Sequence, residues 1–238
     1  MKLRIKFSKQ GPVKFVGHLD IMRYFQKAMR RADIDIKYSE GFSPHQVMSF
    51  AAPLGVGLTS NGEYMDIEVV SSASSGELKD SLNKAMVPGM EIISVTKLPD
   101  DAMNAMASVA AAEYIVRFRE GYEPDFDWEE QVEVFYSRTS IPVTKKTKKS
   151  EIEMDIKPSI YALEAVKDKN GRGAIRMMVD ASSSGNIKPG LVIEAFLTEN
   201  GDTLSDFSLE ITREDTFTNT GTEDCPAFIP LDTVGKEF

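Results

Sequence analysis

At 238 residues, with 42% hydrophobic and 27% charged positions, the chain is long enough for one large domain or two small ones and apolar enough to bury a core. A formal net charge of −9 argues against general nucleic-acid binding, DNA included. The single cysteine, Cys225, excludes an internal disulfide and any cysteine-rich zinc site and reads as an incidental thiol, and no run of about 18 apolar residues is present to span a membrane.

The opening MKLRIKFSK alternates charge with apolar groups, unlike a secretory signal, so a cytoplasmic location is expected. Charge is unevenly spread. Residues 1–60 hold ten Lys and Arg against four Asp and Glu, and the acidic excess lies in the remainder.

In chain order, Leu3, Ile5 and Phe7 alternate with Lys2, Arg4 and Lys6, which predicts a strand with one buried face and one wet face. Gln10-Gly11-Pro12 breaks it. The spacing of Ile21, Phe25, Ala28, Met29 and Ala32 predicts a helix over 19–32. Arg23, Lys27 and Arg30 recur at i, i+4 and i+7 and form a basic ridge on another face, with Asp20 placed to favour the helix start and to pair with Arg23.

Residues 34–38 read as a second strand, and Ser39 to His45 as a loop by their Gly, Ser and Pro content. Another strand is predicted over 63–70. A capping box at Ser74 and Glu77 opens a helix to about Met86, and residues 90–98 close the pattern. The order strand, helix, strand, strand, helix, strand is that of a split βαβ, or ferredoxin-like, sheet.

Residues 99–112 read as a linker or a short helix. The pattern then restarts: a strand over 113–119, a helix over 128–136, an alternating segment over 151–156, and a hairpin of 160–166 with 174–180 around Asn170-Gly171. A helix opens at Pro189, and a final strand contains Phe207, Leu209 and Ile211. The expected fold is therefore α+β: two tandem ferredoxin-like antiparallel sheets with helices on one face, the second copy elaborated. Expected domains are 1–98 and 113–213, followed by a flexible acidic tail over 214–238.

Both histidines, His18 and His45, lie in the stretch 17–53. Each is either structural or an acid–base group, and the split βαβ arrangement allows them to share a pocket with Ser39 and Arg23. In the loop, Gly41 permits a positive φ, Phe42 is a large apolar group in polar company, and Ser39 and Ser43 offer hydroxyls. That pattern fits either a ligand-holding loop or a turn that buries Phe42 against the helix. The lysine run containing Lys145 and Lys146 suits phosphate contact or a charged hairpin tip. Lys188, before a helix start, and Arg213, at a strand end, are further basic candidates. No metal-ligand spacing, Walker motif, dinucleotide fingerprint or iron–sulfur motif occurs.

The blocks GHLD-x-x-R (17–23), YSEGFSPH (38–45), SFAAPLGVG (49–57) and GEYMDIE (62–68) resemble the radical SAM-linked protein family, a bacterial domain of unknown function found beside or fused to a radical SAM protein. Weaker matches follow in order: EIEMDIKPSI, GNIKPGLVIEAF and LEITRED. The resemblance spans about residues 1–214 and implies a radical SAM partner that carries the iron–sulfur cluster and S-adenosylmethionine, with no cofactor on this chain.

The expected function is an accessory or substrate-binding module in RNA modification, binding RNA or its partner through Arg23, Lys27, Arg30 and the His45 loop. One alternative is an RNA-acting enzyme, by fold-level similarity to CRISPR endonucleases or pseudouridine synthases, using His18, Asp20 and His45. The other is a protein-interaction domain only.

Overall fold

A computed structural model of the protein describes residues 1–146, 151–168, 171–222 and 224–238. The strands are β1 (Lys2–Lys9), β2 (Met48–Phe50), β3 (Thr59–Glu68), β4 (Met90–Lys97), β5 (Ala111–Phe118), β6 (Pro142–Lys146), β7 (Glu151–Asp155), β8 (Ile160–Lys167), β9 (Gly173–Asp180), β10 (Leu209–Asn219) and β11 (Phe228–Pro230). The helices are α1 (His18–Arg31), α2 (Ser75–Lys84), α3 (Ala105–Ser108), α4 (Trp128–Tyr136) and α5 (Pro189–Glu199). The fold is mixed α+β. It divides into two compact units: Met1–Ala110 with Arg213–Phe238, and Ala111–Thr212.

In the first unit the strand order is β4-β1-β3-β10, with β2 also on β3 and β11 on β10. The alternation of β1 works as expected on one side. Leu3, Ile5 and Phe7 pack with Met65 and Ile67 of β3 against Phe25 of α1, in a core that also takes Leu78 and Leu82 from α2. Phe25 meets Phe7 at a ring separation of 4.7 Å, edge to face, the favoured geometry for aromatic pairs. The Ser74–Glu77 capping box forms at the start of α2.

The other face of β1 departs from expectation. Arg4, expected in water, is fully buried, because the C-terminal residues return over that face. The flexible acidic tail expected over 214–238 is instead the second part of β10, β11 and a 3-10 turn at Leu231–Val234. Two of its acids, Asp215 and Asp232, make internal contacts. Asp215 binds Lys6 at 2.6 Å and Tyr64 at 2.6 Å, and Asp232 accepts from Ser94 at 2.9 Å. Burial, with these two carboxylates, pushes the Tyr64 hydroxyl far up, so it remains a donor. Gly62 admits the strand: a Cβ there would stand 2.6 Å from the Asp215 backbone.

Two further expectations change. Residues 34–38 make only isolated bridges, Ile36 to Val69 and Tyr38 to Gln46, since β2 and β10 supply the neighbours of β3. Phe207 lies outside the final strand, at φ 60° and 86% exposed.

The second unit runs β5, α4, the hairpin β6–β7, β8, β9, α5 and the start of β10, with strand order β10-β5-β9-β8. Val116, Ile175 and Met177 of the sheet share one core with Phe135 of α4 and Phe196 of α5. Asp127 caps α4 by accepting from the Glu130 amide, and Pro189 opens α5.

Candidate functional site

Helix α1 begins after Gly17 and buries Ile21, Phe25, Ala28 and Met29. Asp20 in its first turn and Arg30 and Arg31 in its last complement the helix dipole. The stripe leaves Arg23, Lys27 and Arg30 exposed, as their spacing predicts. Arg23 meets Asp20 at 3.2 Å, a solvated pair that restrains the guanidinium little.

The 39–45 loop is closed on itself. The Ser39 amide donates to the His45 carbonyl at 2.8 Å, the His45 amide donates to Ser39 Oγ at 3.1 Å, and Ser39 Oγ lies 2.8 Å from His45 Nδ1. Gly41, at φ 110°, makes the turn that other residues rarely adopt. Ser43 is exposed, and Phe42 is fully exposed rather than packed on the helix. Gln46, which is buried, donates to the Gln26 carbonyl at 3.2 Å and so ties the loop to α1.

His18 and His45 do not share a pocket. His18 stands edge-on to Phe50 at 5.3 Å and lines a small cavity with Lys9 and Glu63. His45 and Ser39 line a separate cavity that does not include Arg23. Asp20 lines neither.

Behind His18 lies a buried charge cluster of Lys9, Glu63 and Arg213, of which only Arg213 is among the candidates named from the sequence. Lys9 Nζ donates to the Val16 carbonyl at 2.9 Å. Arg213 Nη1 lies 3.1 Å from Glu63 Oε1 and donates to the Ala52 carbonyl at 3.0 Å. Arg213, expected at a strand end, sits within β10 and is 5% exposed, so it is a buried partner and not a surface contact. The signal was in the alternation: Lys9 continues the stripe Leu3, Ile5, Phe7, and Glu63 continues the stripe Met65, Ile67.

Burial raises the Glu63 carboxyl, opposed by Arg213, and burial lowers the Lys9 ammonium, opposed by Glu63. The unfolded chain therefore holds the Lys9 proton more tightly than the folded one. Stability should rise with pH between the lowered folded value and the ordinary 10.5. Lys9→Met is expected to remove that rise; urea midpoints of both proteins across this window measure it, and parallel pH profiles would contradict it.

Among the basic candidates of the second unit, Lys188 is the residue before α5, and its Nζ donates to Asn186 Oδ1 at 3.0 Å. Lys145 and Lys146 stand on β6, in register with Ile152 and Glu151 of β7, and the rest of the lysine run lies outside the described residues. Among the described residues, no group of three or more His, Cys, Asp and Glu is placed to hold a metal ion, and no helix is long and apolar enough to cross a membrane.

Together these features describe an α+β protein whose first unit carries the basic helix face, the projecting aromatic and both histidine cavities. The chain belongs to the family described as "Uncharacterized protein conserved in bacteria (DUF2344)", whose model matches residues 2–189. That description names neither an activity nor a radical SAM partner. No curated protein matches the chain. Among solved structures it is similar to a chain of the "Crystal Structure of a Cbf5-Nop10-Gar1 Complex", with 11% identity and a TM-score of 0.47, over 90% of this chain and 48% of that one. The chain thus spans about half the length of that relative, and no activity transfers at this level of similarity.

Proposed function

We propose that this protein is an accessory binding module for a radical SAM protein acting in RNA modification, and that its first unit contacts single-stranded RNA through α1 and the 39–45 loop. One observation carries the reading. A fully exposed Phe42 stands on a loop tied by Gln46 to a helix whose free face is Arg23, Lys27 and Arg30. An aromatic platform beside cations is what a single strand needs, a base stacking on the ring and phosphates on the charges.

In a chain of net charge −9, long-range repulsion restricts an anionic partner to this basic patch. The chemistry is assigned to the partner, which would bring the iron–sulfur cluster and S-adenosylmethionine. Separate cavities for His18 and His45, and an Asp20 paired at the surface, support that division of labour. The orders β4-β1-β3 and β10-β5-β9-β8 support reading both units as split βαβ sheets, the second interrupted by the β6–β7 hairpin.

Binding of unstructured RNA, followed by fluorescence anisotropy over a salt series, tests the interface. Arg23→Glu with Lys27→Glu should weaken binding and lower the salt slope by about 1.4, at about 0.7 per lost phosphate contact on a single strand. Phe42→Ala should cost about 1–3 kcal/mol with the slope unchanged. Unaltered affinity in both variants would refute the RNA contact, and failure to co-purify with a radical SAM protein from the native cell would refute the partnership.

A further inference from the structure

The second histidine cavity, in the first unit, has a volume of about 340 Å³, within the range of about 300–1,000 Å³ typical of small-molecule sites. Its floor is the outer face of the sheet. Lys2 stands opposite Glu68 and Ser49 opposite Asp66 in antiparallel register, so these four side chains share a face. One wall is the His45 loop, and the other is the segment from Leu98 to Asn104. Val47, Leu98 and Ala102 supply apolar surface.

The two carboxylates here are each paired with a cation. Asp66 is held by Arg4 and by the Ala105 amide. Glu68 Oε2 takes the Lys37 ammonium at 2.9 Å, and Asn104 Oδ1 takes the Ala107 amide. The donors retain capacity. Lys2 Nζ gives one hydrogen bond, to the Asp100 carbonyl, of the three it can make. In the tautomer in which the Ser39 hydroxyl donates to His45 Nδ1, Nε2 carries the ring hydrogen and can donate. The Ser49 hydroxyl lines the same cavity and can also donate.

A cavity whose carboxylates are paired with cations, with spare donors, a cation at its rim and apolar walls, matches an anion attached to an apolar body. We infer that this cavity binds a small organic anion, its carboxylate or phosphate group held by Lys2, His45 and Ser49 and its apolar portion against Val47, Leu98 and Ala102. The site shares the 39–45 loop with the proposed RNA surface but none of Arg23, Lys27, Arg30 and Phe42, and its test uses no RNA.

Amide chemical shifts of the ¹⁵N-labelled full chain test it. Phenyl phosphate and phenylacetate share one apolar body and differ in the anion, so the tighter of the two identifies the head group. Either should shift the amides of Val47, Ser49, Glu68 and Ala102 saturably. Inorganic phosphate, and benzyl alcohol as the neutral body, should each bind at least about tenfold more weakly.

Lys2→Gln, an exposed change that leaves the core untouched, should weaken the anion about tenfold. Ala102→Trp should fill the cavity and abolish the shifts. The inference is overturned if neither aromatic anion moves these amides at millimolar concentration, if benzyl alcohol binds as well as the anions, or if Lys2→Gln leaves the affinity unchanged.

Discussion

Arg4→Met is expected to destabilise the first unit by about 3–5 kcal/mol, the cost of breaking a buried ion pair from one side. Arg4 has no exposed surface, and its guanidinium meets Asp66 in a two-pronged pair, Nε to Oδ1 at 2.8 Å and Nη2 to Oδ2 at 2.9 Å. The remaining donors reach the Leu231 and Met103 carbonyls, each at 3.1 Å. Methionine matches much of the volume but donates nothing. It would leave the Asp66 carboxylate without its cation and the Leu231 and Met103 carbonyls without a donor, in a site with little access to water.

The double variant Arg4→Met with Asp66→Leu should recover part of the loss, because it removes the stranded charge as well. Amide exchange of β1 and β3 in the two variants measures both effects. A loss below about 1 kcal/mol for the single variant would mean that the pair contributes no more than an exposed one.

Removal of residues 220–238 is the second large effect. It deletes Leu231, which is fully buried, together with the Asp232 contacts to Tyr64 and Ser94 and the bridge from Lys97 to Lys236. The lost burial is worth about 2–3 kcal/mol, and each lost hydrogen bond adds about 1 kcal/mol. With four such bonds lost, a total of about 6–7 kcal/mol is comparable to the whole stability of many domains. The first unit should therefore lose its protected amides.

The second unit gives an internal control. Its core contains nothing beyond Ile211, and Trp128, the single tryptophan, packs on Phe118 within it at 5.6 Å. Tryptophan emission should keep its native position in the truncated protein while β1 and β3 exchange freely. Full protection of β1 after truncation would show that the C-terminal return is dispensable.

Much of this architecture was legible in the residues, and the failures share a cause. Helix α1, the capping box of α2, helix α4 and Pro189 as the first residue of α5 all rest on local rules of spacing and capping, and all occur where those rules place them. The errors concern pairing between distant segments. Nothing in the alternation of β1 says that Arg4 will be covered, because its cover lies 227 residues away at Leu231. Asp215 and Asp232 look like tail charges until their partners Lys6, Tyr64 and Ser94 are known.

The basic ridge and loop were legible as residues, whereas the sorting of His18 and His45 into different cavities needed the strand registers. Lys9 and Glu63 were readable from alternation alone, as charges on two apolar stripes.

The split composition of the first unit also sets an order of events during synthesis. The second unit is one unbroken stretch, Ala111–Thr212, whereas the first draws its last strands from Arg213–Phe238. Chain emerges from the ribosome at a finite rate, and a segment cannot pair with residues not yet made. Strands β1 and β3 are therefore made well before the segment that completes their unit. Until residues 213–238 are made, the growing chain carries the ammonium of Lys6 and the Arg4–Asp66 pair on an open sheet face. Those charges keep that face hydrated while it waits; Asp215 then pairs with Lys6, and Leu231 covers the Arg4–Asp66 pair.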